Sequence, residues 1–540
     1  MFRSPVFLDR FYPDSCCFSN PPARSNMKDN AHAIMRLLWS RIISLIRKPV
    51  TAEKFNKGGE LGEPPFSGMF FCQASTFQVL KIGPGAHYYP ESLTETRLYG
   101  RFYLMKRDIS QKLLAWKSSS RRKPLLLQGA RQTGKTFILQ EFGRKEYETA
   151  IYCNFEEDPN LDQFFQRDLN PDRILAELSI YLNQEIQAGS HLLILDEIQT
   201  SNRALSSLKY FAEQKNEIHL AAAGSLLGVK LSEPGSFPVG KVNFLHLYPM
   251  TFLEFLDGMG ESRYRQLIEN LCEPVPLTEA FHAHLIDMLR RYYFTGGMPE
   301  AVMHFSTTGN APETRAIQNE ILKSYILDFA KHAKAVDIPK LTLLWDSIPK
   351  HLAKENKKFV FSAVKKGARG RSYENAMTWL EDAGLILRAQ AVQTVRHPLK
   401  HYADSSCFKV YALDVGLLGA LADAPVSLLA VGMRLFNEYE GAFVENYVAQ
   451  QLVAQSQQPL YYWRSKGGKA ELDFLCEVEG KLCPLEVKAG INLKSKSLKS
   501  YDLQFQPDRL ARTNLLNFNV GGKIINIPLY AVSLLPKLMT

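Results

Sequence analysis

The sequence predicts an α/β protein in which a parallel sheet is followed by a mostly helical region and then by a smaller α/β region. Between about residues 105 and 250, apolar runs of four to six residues alternate with helical patterns. That alternation is typical of parallel strands buried on both faces. The pattern is mostly helical from about 250 to 350, and strands and helices alternate again beyond Phe408. At about 150 residues per domain, 540 residues indicate three or four domains.

Composition narrows the class of protein. With 46% hydrophobic and 22% charged residues, the chain is typical of a soluble globular protein. Its eight cysteines include no C-x-x-C pair, which argues against a zinc ribbon or a disulfide framework and predicts a reduced, cytoplasmic protein. No apolar run reaches the ~18 residues that span a bilayer, so we expect no stable membrane span. The formal net charge of +10 weakly favours an anionic partner such as nucleic acid.

Residues 1–104 form an N-terminal extension unlike the rest of the chain. They contain 9 of the 28 prolines, which interrupt every periodic stretch. We therefore predict that the extension is poorly ordered or not translated, and that the functional protein begins near Met105. Within the extension, Ala33–Lys48 has a basic amphipathic pattern that would suit a membrane surface. The favoured alternative is a helix packed on a neighbour, or a poorly ordered segment.

The first predicted domain covers residues 105–260. Its helices are indicated by apolar residues at helical spacing, and its strands by short apolar runs bounded by turn residues. Pro249 ends the last strand. In chain order, the predicted elements are helix Ile109–Trp116, strands Leu125–Leu127 and Ile151–Phe155, helix Ile174–Ile186, strand Leu192–Leu195, helix Leu205–Gln214, and strands Ile218–Ala223 and Val242–Leu247.

A phosphate-binding loop is the strongest motif in the sequence. The string GARQTGKT matches G-x-x-x-x-G-K-[ST] at every fixed position, and comprises Gly129, Ala130, Arg131, Gln132, Thr133, Gly134, Lys135 and Thr136. It follows a predicted strand and opens a predicted helix, Phe137–Phe142, as the motif requires. Glycines let backbone N–H groups surround phosphates, and the helix N-terminus favours their charge. We expect Lys135 to reach the β- and γ-phosphates of ATP and Thr136 to bind Mg²⁺.

An acidic pair completes the predicted nucleotide site. The apolar strand LLIL ends at Asp196 and Glu197, about sixty residues after the loop. Asp196 is placed to hold the Mg²⁺ shell, and Glu197 to polarise the attacking water. Together with the loop, the pair predicts ATP binding and Mg²⁺-dependent hydrolysis.

Several short strings extend the pattern beyond this site. They are Met105-Lys106-Arg107, the loop GARQTGKT, the strand end LLILDEIQ, Ala223-Gly224-Ser225, LYPMTF at 247–252 with Glu254-Phe255, and TGGMPE at 295–300. On these strings, residues from about 105 to 540 resemble the prokaryotic AAA-type ATPases that carry a C-terminal domain of unknown function.

The resemblance implies further roles. Ser225 would sense the γ-phosphate, whereas the residues alone indicate only a turn. Relatives commonly have Gly-Arg where this chain has Gly240-Lys241, and a lysine offers a point charge instead of a planar fork. An arginine acting on the nucleotide of a neighbouring subunit in a homo-oligomer would then have to come from elsewhere, and the alternatives are Arg263, Arg290 and Arg291.

The second predicted region, 261–400, contains a winged-helix pattern. It consists of helix Leu341–Leu352, a strand-like Phe359–Phe361, helix Tyr373–Ala383 and strand Leu385–Val392. Eight basic residues lie within 22 positions: Lys350, Lys354, Lys357, Lys358, Lys365, Lys366, Arg369 and Arg371. Such a cluster suits phosphate contacts with nucleic acid. Glu374, Glu381 and Asp382 on the expected recognition helix favour the alternative of a protein–protein or structural module.

The third predicted region, 401–540, has helix Glu438–Gln455 and strands Leu460–Trp463, Glu471–Glu477 and Lys481–Lys488. Antiparallel pairing of the last two would bring Asp473 close to Glu486, and Glu486 and Lys488 share a face because they are two residues apart. Two carboxylates bind Mg²⁺, and a lysine beside them can orient water. The pattern resembles the PD-(D/E)xK nuclease core, with Glu445 as a further potential ligand. A solvated charged hairpin, or a nuclease fold retained for binding alone, is the alternative.

The sequence as a whole predicts an AAA-type ATPase that couples ATP hydrolysis to action on nucleic acid by a nuclease-like C-terminal domain. One alternative is a nucleotide-dependent switch or scaffold that binds a protein partner and cleaves nothing. Another, with Ala33–Lys48 as an anchor, is a membrane-surface ATPase.

Overall fold

The computed structural model describes residues 106–226, 228–229, 240–354, 357–426, 440–491 and 495–539. The predicted extension, its amphipathic segment Ala33–Lys48 and the predicted start near Met105 lie outside the described residues.

The first part of the chain folds into a five-stranded, fully parallel sheet flanked by helices. Its strand order is β2-β3-β4-β1-β5. The strands are β1 (Leu125–Gln128), β2 (Thr149–Asn154), β3 (His191–Asp196), β4 (His219–Ala223) and β5 (Asn243–His246). The helices are α1 (Ile109–Ser118), α2 (Lys135–Glu146), α3 (Gln163–Gln166), α4 (Pro171–Tyr181) and α5 (Asn202–Gln214). Separate apolar clusters cover the two faces of the sheet, which confirms the predicted P-loop NTPase α/β fold.

The register brings the carboxyl ends of the central strands to one edge. Leu127 on β1 pairs with Ala223 on β4, and Leu195 on β3 pairs with Ala222. The loop after β1 therefore opens beside the residues that follow β3 and β4, the place where α/β sheets bind ligands. The strands that lead to Asp196 and Ser225 are therefore direct neighbours.

A helical region follows the first sheet, as predicted. It contains α6 (Phe252–Gly258), α7 (Ser262–Glu269), α8 (Glu279–Thr295), α9 (Pro299–Thr308), α10 (Ala311–His332), α11 (Ile338–Leu352), α12 (Phe361–Val364) and α13 (Gly370–Asp382). The prediction of a strand at Phe359–Phe361 is wrong, because Phe361 begins α12. Phe359 keeps one strand-like bond, from its N–H to the carbonyl of Phe408, and stacks on His351. Packing of these rings overrides the β-propensity of the segment.

Two further sheets and four α-helices follow among the described residues. One sheet has the order β7-β6-β8-β9 and the other β10-β11-β12-β14-β13. The strands are β6 (Ile386–Val392), β7 (Ala403–Ala412), β8 (Leu460–Arg464), β9 (Glu471–Leu472), β10 (Phe474–Val478), β11 (Lys481–Val487), β12 (Leu510–Asn514), β13 (Asn519–Gly521) and β14 (Ile524–Pro528). The helices are α14 (Val415–Leu421), α15 (Glu440–Ser456), α16 (Lys496–Phe505) and α17 (Leu535–Met539).

The predicted strand Glu471–Glu477 is interrupted at Asp473, so that β9 and β10 belong to different sheets. After the interruption, β10 and β11 form an antiparallel hairpin. Its two turn residues have positive φ, 48° at Glu479 and 76° at Gly480, as a type I′ turn requires.

The helical region and both later sheets share a core. One cluster of buried apolar residues extends from Ala130 to Met539. Strand β6 lies between β7 and β8, so the second sheet crosses the predicted boundary at residue 400. No helix among the described residues combines the length and apolarity that crossing a bilayer requires.

Candidate functional site

The backbone of the phosphate-binding loop depends on its glycines. Gly134 is the N-cap of α2 and has a left-handed φ of 91°, and Gly129 has φ 151°. A Cβ on Gly129 would lie 2.3 Å from the carbonyl oxygen of Leu247. Neither position tolerates an ordinary side chain without a shift of the backbone. Gln132 is also left-handed, with φ 64°.

Lys135 lies inside the loop. Its Nζ donates to the carbonyl oxygens of Gly129 at 3.0 Å and Ala130 at 2.8 Å, and the residue is 6% exposed. Burial lowers the pKa of Lys135 to about 8, although Glu197 and Asp196 act in the opposite direction.

Asp196 and Thr136, the two predicted Mg²⁺ ligands, are in contact. The Thr136 hydroxyl donates to Oδ2 of Asp196 at 2.6 Å. The same oxygen accepts from the hydroxyl of Tyr152 at 3.0 Å. No sequence motif marks Tyr152, whose only signal is its position on β2, the strand paired with β3.

Glu197 and Ser225 face one another across the ends of β3 and β4. Oε2 of Glu197 accepts from the backbone N–H and the hydroxyl of Ser225, both at 3.4 Å. It also accepts from Nε2 of Gln199 at 2.5 Å. Glu197 itself has a left-handed φ of 50°, an uncommon conformation that aims its side chain from the strand end. The predicted base and the predicted sensor therefore share a hydrogen bond.

Arg107 has no predicted role, yet it fastens the loop to the region after β5. Its guanidinium donates to the carbonyl of Thr133 at 3.0 Å, to that of Tyr248 at 2.6 Å and to Glu254 at 3.0 Å. Arg107 and Glu254 are both buried, and Glu254 also closes a capping box with Thr251 at the start of α6. Arg107 and Glu254 both belong to the strings on which the family resemblance rests. That membership is the feature of the sequence that could have marked them as part of the site.

Helix α10 also holds the loop. Arg131 forms an ion pair with Asp328 on α10 at 2.5 Å and one with Glu156 at 3.6 Å. The hydroxyl of Tyr325, one turn earlier on α10, donates to the carbonyl of Arg131 at 3.1 Å. Arg131, one of the four variable residues of the motif, thus connects the loop with the helical region.

Lys241, which stands where relatives have arginine, forms an ion pair with Glu213 at 2.9 Å. The alternatives Arg263, Arg290 and Arg291 have exposed side chains. That one of these three arginines acts on the nucleotide of a neighbouring subunit stays a prediction.

The TGGMPE string connects the first sheet to the C-terminal half. The N–H of Met250 donates to the carbonyl of Gly297 at 2.7 Å, and the N–H of Gly297 donates to Asp414 at 2.6 Å. Asp414 caps α14 and accepts from Gln450 on α15 at 3.0 Å. A Cβ on Gly297 would lie 2.1 Å from the Met250 carbonyl oxygen, so this close approach needs glycine.

The C-terminal carboxylates meet as the hairpin register predicts. Phe474 pairs with Leu485, which places Asp473 beside Glu486. Asp473 Oδ2 accepts from the N–H of Val487 at 2.8 Å. Glu486 forms an ion pair with Lys488 at 2.6 Å through Oε1. Its Oε2 is buried and has no hydrogen-bond partner within the described residues.

Two lysines from outside the predicted site neutralise this cluster. Lys409 Nζ lies 2.9 Å from Glu445, 2.8 Å from Glu471 and 3.8 Å from Asp473, and Lys357 pairs with the other oxygen of Glu445. Lys409 is not among the residues that the sequence predicts for this site. Its signal was a single lysine within an otherwise apolar strand, CFKVYAL.

These contacts decide the charges of the carboxylates. Burial raises the pKa of Glu445, but Lys357 and Lys409 outweigh burial and hold that pKa at about 2. Burial and the charge of Glu445 raise the pKa of Asp473 to about 7. Within the part of the chain that the structure describes, no three His, Cys, Asp or Glu side chains are grouped so that they could hold a metal ion. The residues here therefore do not fit a divalent metal in this conformation.

The predicted basic cluster divides in two. Lys357 and Lys358 are partly buried, and Lys357 points to Glu445. An exposed group remains, which we call the basic surface: Lys350, Lys354, Lys365, Lys366, Arg369 and Arg371. On α13, Glu381 pairs with Arg388 at 2.8 Å, and Glu374 is exposed.

Three family models match separate parts of the chain. They are the AAA domain over residues 121–256, a domain of unknown function (DUF8612) over 286–427 and a domain of unknown function (DUF4143) over 440–530. The AAA-domain match coincides with the parallel sheet and its loop, and this part of the chain is an AAA-type P-loop ATPase domain. No curated protein matches the chain significantly.

Three of the solved structures that match the chain are distant from it in sequence. The Walker-type ATPase PABY2304 of Pyrococcus abyssi is 13% identical, with 59% of this chain and 96% of that chain covered and a TM-score of 0.38. The RuvB Holliday junction branch migration motor of Thermotoga maritima is 17% identical, with 57% and 93% covered and a TM-score of 0.23. Cdc6p from Pyrobaculum aerophilum is 14% identical, with 64% and 96% covered and a TM-score of 0.20.

Proposed function

We propose that the protein binds Mg·ATP at the loop after β1 and hydrolyses it there. The observation that carries the proposal is the contact between Thr136 and Asp196, because it brings a hydroxyl and a buried carboxylate from opposite sides of the site together. A bound Mg²⁺ would neutralise charge on the phosphates. Thr136 and Asp196 are the residues that would hold it, and their oxygens fit its preference for hard ligands.

The other residues have separate tasks. On ATP binding, Lys135 exchanges the carbonyls of Gly129 and Ala130 for phosphate oxygens, while the N–H groups of the loop surround the phosphates. Glu197 orients and polarises the attacking water. Ser225, hydrogen-bonded to Glu197, senses the γ-phosphate. Arg131 transmits loop movements to α10 through Asp328.

Substitutions in the full chain test these roles. Lys135→Ala should abolish ATP binding, and Glu197→Gln should retain binding while turnover falls at least about 100-fold, the usual contribution of a general base. Nucleotide binding by fluorescence and phosphate release measure the two effects. Glu157→Gln, an exposed carboxylate of the same domain, is the matched control and should leave both unchanged. Normal turnover in Glu197→Gln would remove this residue as the base.

We also propose that hydrolysis drives action on nucleic acid, which the basic surface holds by its phosphates. The supporting observation is the exposure of Lys365, Lys366 and Arg369 beside α13, within a chain of net charge +10. Such contacts position a nucleic acid without selecting its sequence. Assembly into a homo-oligomer, with an arginine supplied between subunits, belongs to the same proposal.

Salt dependence tests the nucleic-acid proposal. Replacing Lys365 and Lys366 together by Glu should weaken DNA binding and reduce the slope of log affinity against log salt by about 2. Lys496→Glu with Lys499→Glu is the control, because both lysines are exposed on α16, outside the basic surface. Equal weakening by both double variants would show that net charge, not this surface, holds the DNA.

A second candidate function is a nucleotide-dependent switch that binds a protein partner and cleaves nothing. The contacts from Met250 through Gly297 and Asp414 to Gln450 favour it, because they give nucleotide-driven movements a buried route to the C-terminal domain. Turnover unaffected by DNA supports the switch, and DNA-stimulated turnover supports the nucleic-acid proposal.

Cleavage by the C-terminal domain stays a hypothesis. Supercoiled DNA incubated with the full chain and Mg²⁺ or Mn²⁺, with and without ATP, decides it. Cleavage that Asp473→Ala abolishes would establish a nuclease, and intact DNA under every condition would favour the switch.

A further inference from the structure

A buried lysine lies at the centre of the C-terminal carboxylates. Lys409 is 1% exposed, and its Nζ lies 2.8 Å from Glu471 and 2.9 Å from Glu445. The same ammonium lies 3.8 Å from Asp473 and 4.8 Å from the centre of the Tyr462 ring. It is therefore surrounded by anionic or electron-rich groups from α15, β8, β9 and the break between β9 and β10.

Lys409 remains charged in this environment. Three carboxylates, those of Glu445, Glu471 and Asp473, lie within 4 Å of the ammonium and stabilise its charged form. Burying an ammonium group costs several kcal/mol of folding free energy unless carboxylates pair with it. Burying a carboxylate carries a similar cost unless a cation pairs with it. Each partner therefore needs the other for the fold to be stable.

Oxygens of Asp473 and Glu486 have polar partners as well. Asp473 uses Oδ2 to accept from the N–H of Val487, and its Oδ1 faces Lys409. Glu486 uses Oε1 for Lys488, and Arg512 lies beside it in the register of β11 and β12. Among the fully buried oxygens of the cluster that the structure describes, Oε2 of Glu486 lacks a hydrogen-bond partner, and one oxygen does not make a magnesium site.

We propose that Lys409 is a built-in cation that takes the place of a divalent metal among Glu445, Glu471 and Asp473. While Lys409 is in this position, the C-terminal site does not bind a metal ion. The inference rests on the disagreement between this cluster and the metal site that the nuclease-like pattern predicts, and it does not depend on the proposed ATPase function.

The strand pairing fixes the backbone from which Lys409 projects into the cluster. Lys409 pairs with Ala389 across β7 and β6, in the middle of the longest strand pairing of the second sheet. A divalent ion needs oxygens at about 2.0–2.6 Å, and it would repel the ammonium between the same carboxylates. Metal and ammonium therefore exclude one another, and metal entry requires the Lys409 ammonium to leave the carboxylates.

Metal binding by the full chain, without nucleotide, tests the proposal with Mn²⁺ as the probe. We expect wild type to have no Mn²⁺ site at Asp473 with a dissociation constant below about 1 mM. Asp473→Asn should therefore leave Mn²⁺ binding in this range unchanged. Lys409→Met removes the charge and keeps most of the volume, and it should gain one such site, at least about tenfold tighter than any in wild type. Lys409→Arg keeps the charge and should behave as wild type. Electron paramagnetic resonance counts free and bound Mn²⁺.

Two results would overturn the proposal. One is a Mn²⁺ site in wild type that Asp473→Asn removes, and the other is a folded Lys409→Met variant that gains no site. If Lys409→Met does not fold without metal, recovery of its fold by Mn²⁺, lost in the Asp473→Asn double variant, supports the proposal. If Lys409→Met does not fold under any condition, the comparison of Mn²⁺ binding between wild type and Asp473→Asn alone decides whether the proposal stands.

Discussion

Lys135 combines burial with a pKa close to the physiological range. Its ammonium rests on two carbonyls of the loop, which are weaker partners than phosphate oxygens. The nearby Arg131 also lowers its pKa, while Glu197 and Asp196 raise it. Nucleotide binding should therefore change the protonation of this residue.

We predict proton uptake on ATP binding. The pKa of Lys135 is about 8 in the folded chain against 10.5 ordinarily, so above pH ~8 the free protein has lost this proton. Phosphates restore the charged form, so ATP affinity should fall as the pH rises above ~8, and binding at pH ~8 should take up about half a proton. Calorimetry in two buffers of different ionisation enthalpy measures the uptake. It should vanish near pH ~6, and its absence at pH ~8.5 would contradict the assigned environment.

At the scale of elements, the hairpin β10–β11 decides where the C-terminal carboxylates meet. Its turn gives the register that sets Asp473 beside Glu486. The first turn residue, Glu479, is exposed and has φ 48°, a conformation that Glu adopts at a cost of ~1 kcal/mol and Asn adopts readily. The turn is thus a weak point of an otherwise well-paired hairpin.

Glu479→Asn should stabilise this hairpin. Asn-Gly is the favoured pair for a type I′ turn, and a gain of ~0.5–1 kcal/mol should slow amide exchange through local opening of β10 and β11 about two- to fivefold. Hydrogen exchange followed by mass spectrometry measures the effect. The control is Glu477→Asn, the same change two residues earlier on β10, which should not slow exchange. Equal protection in both variants would show that the turn conformation does not limit opening.

At the scale of the whole molecule, the helical region and the C-terminal sheets fold together. One apolar cluster extends from Ala130 to Met539, and β6 pairs with both β7 and β8 across residue 400. Buried polar contacts such as that of Gln451 with the N–H of Phe252 join the same parts. The C-terminal region therefore depends on elements that precede it.

A fragment of residues 401–540 should not fold alone. Without β6, strand β7 loses its only neighbour in the second sheet and β8 keeps only two pairs with β9, while much of the shared core becomes exposed. We expect an insoluble or uncooperatively unfolding product, measured by circular dichroism during thermal unfolding, against a cooperative full chain. A soluble fragment with a sharp transition would instead support an independent domain beginning at 401.

Sequence alone determined the nucleotide site and the order of the elements around it. The loop GARQTGKT occupies eight consecutive residues, and strand periodicity is local, so both are visible without the fold. The hairpin register that brings Asp473 to Glu486 was predictable for the same reason, since a short turn joins the two strands.

Only the tertiary structure decided which cations pair with the C-terminal carboxylates and which residues hold the phosphate-binding loop in place. Arg107 meets Glu254 across 147 positions, and Lys409 meets Glu445 across 36. The interruption of the strand at Asp473 likewise follows from the pairing of β9 and β10 with different sheets. Such contacts are set by the packing of elements that are distant in the sequence. A buried charge is stable only when it is paired with an opposite charge, and the fold decides which opposite charge lies beside it.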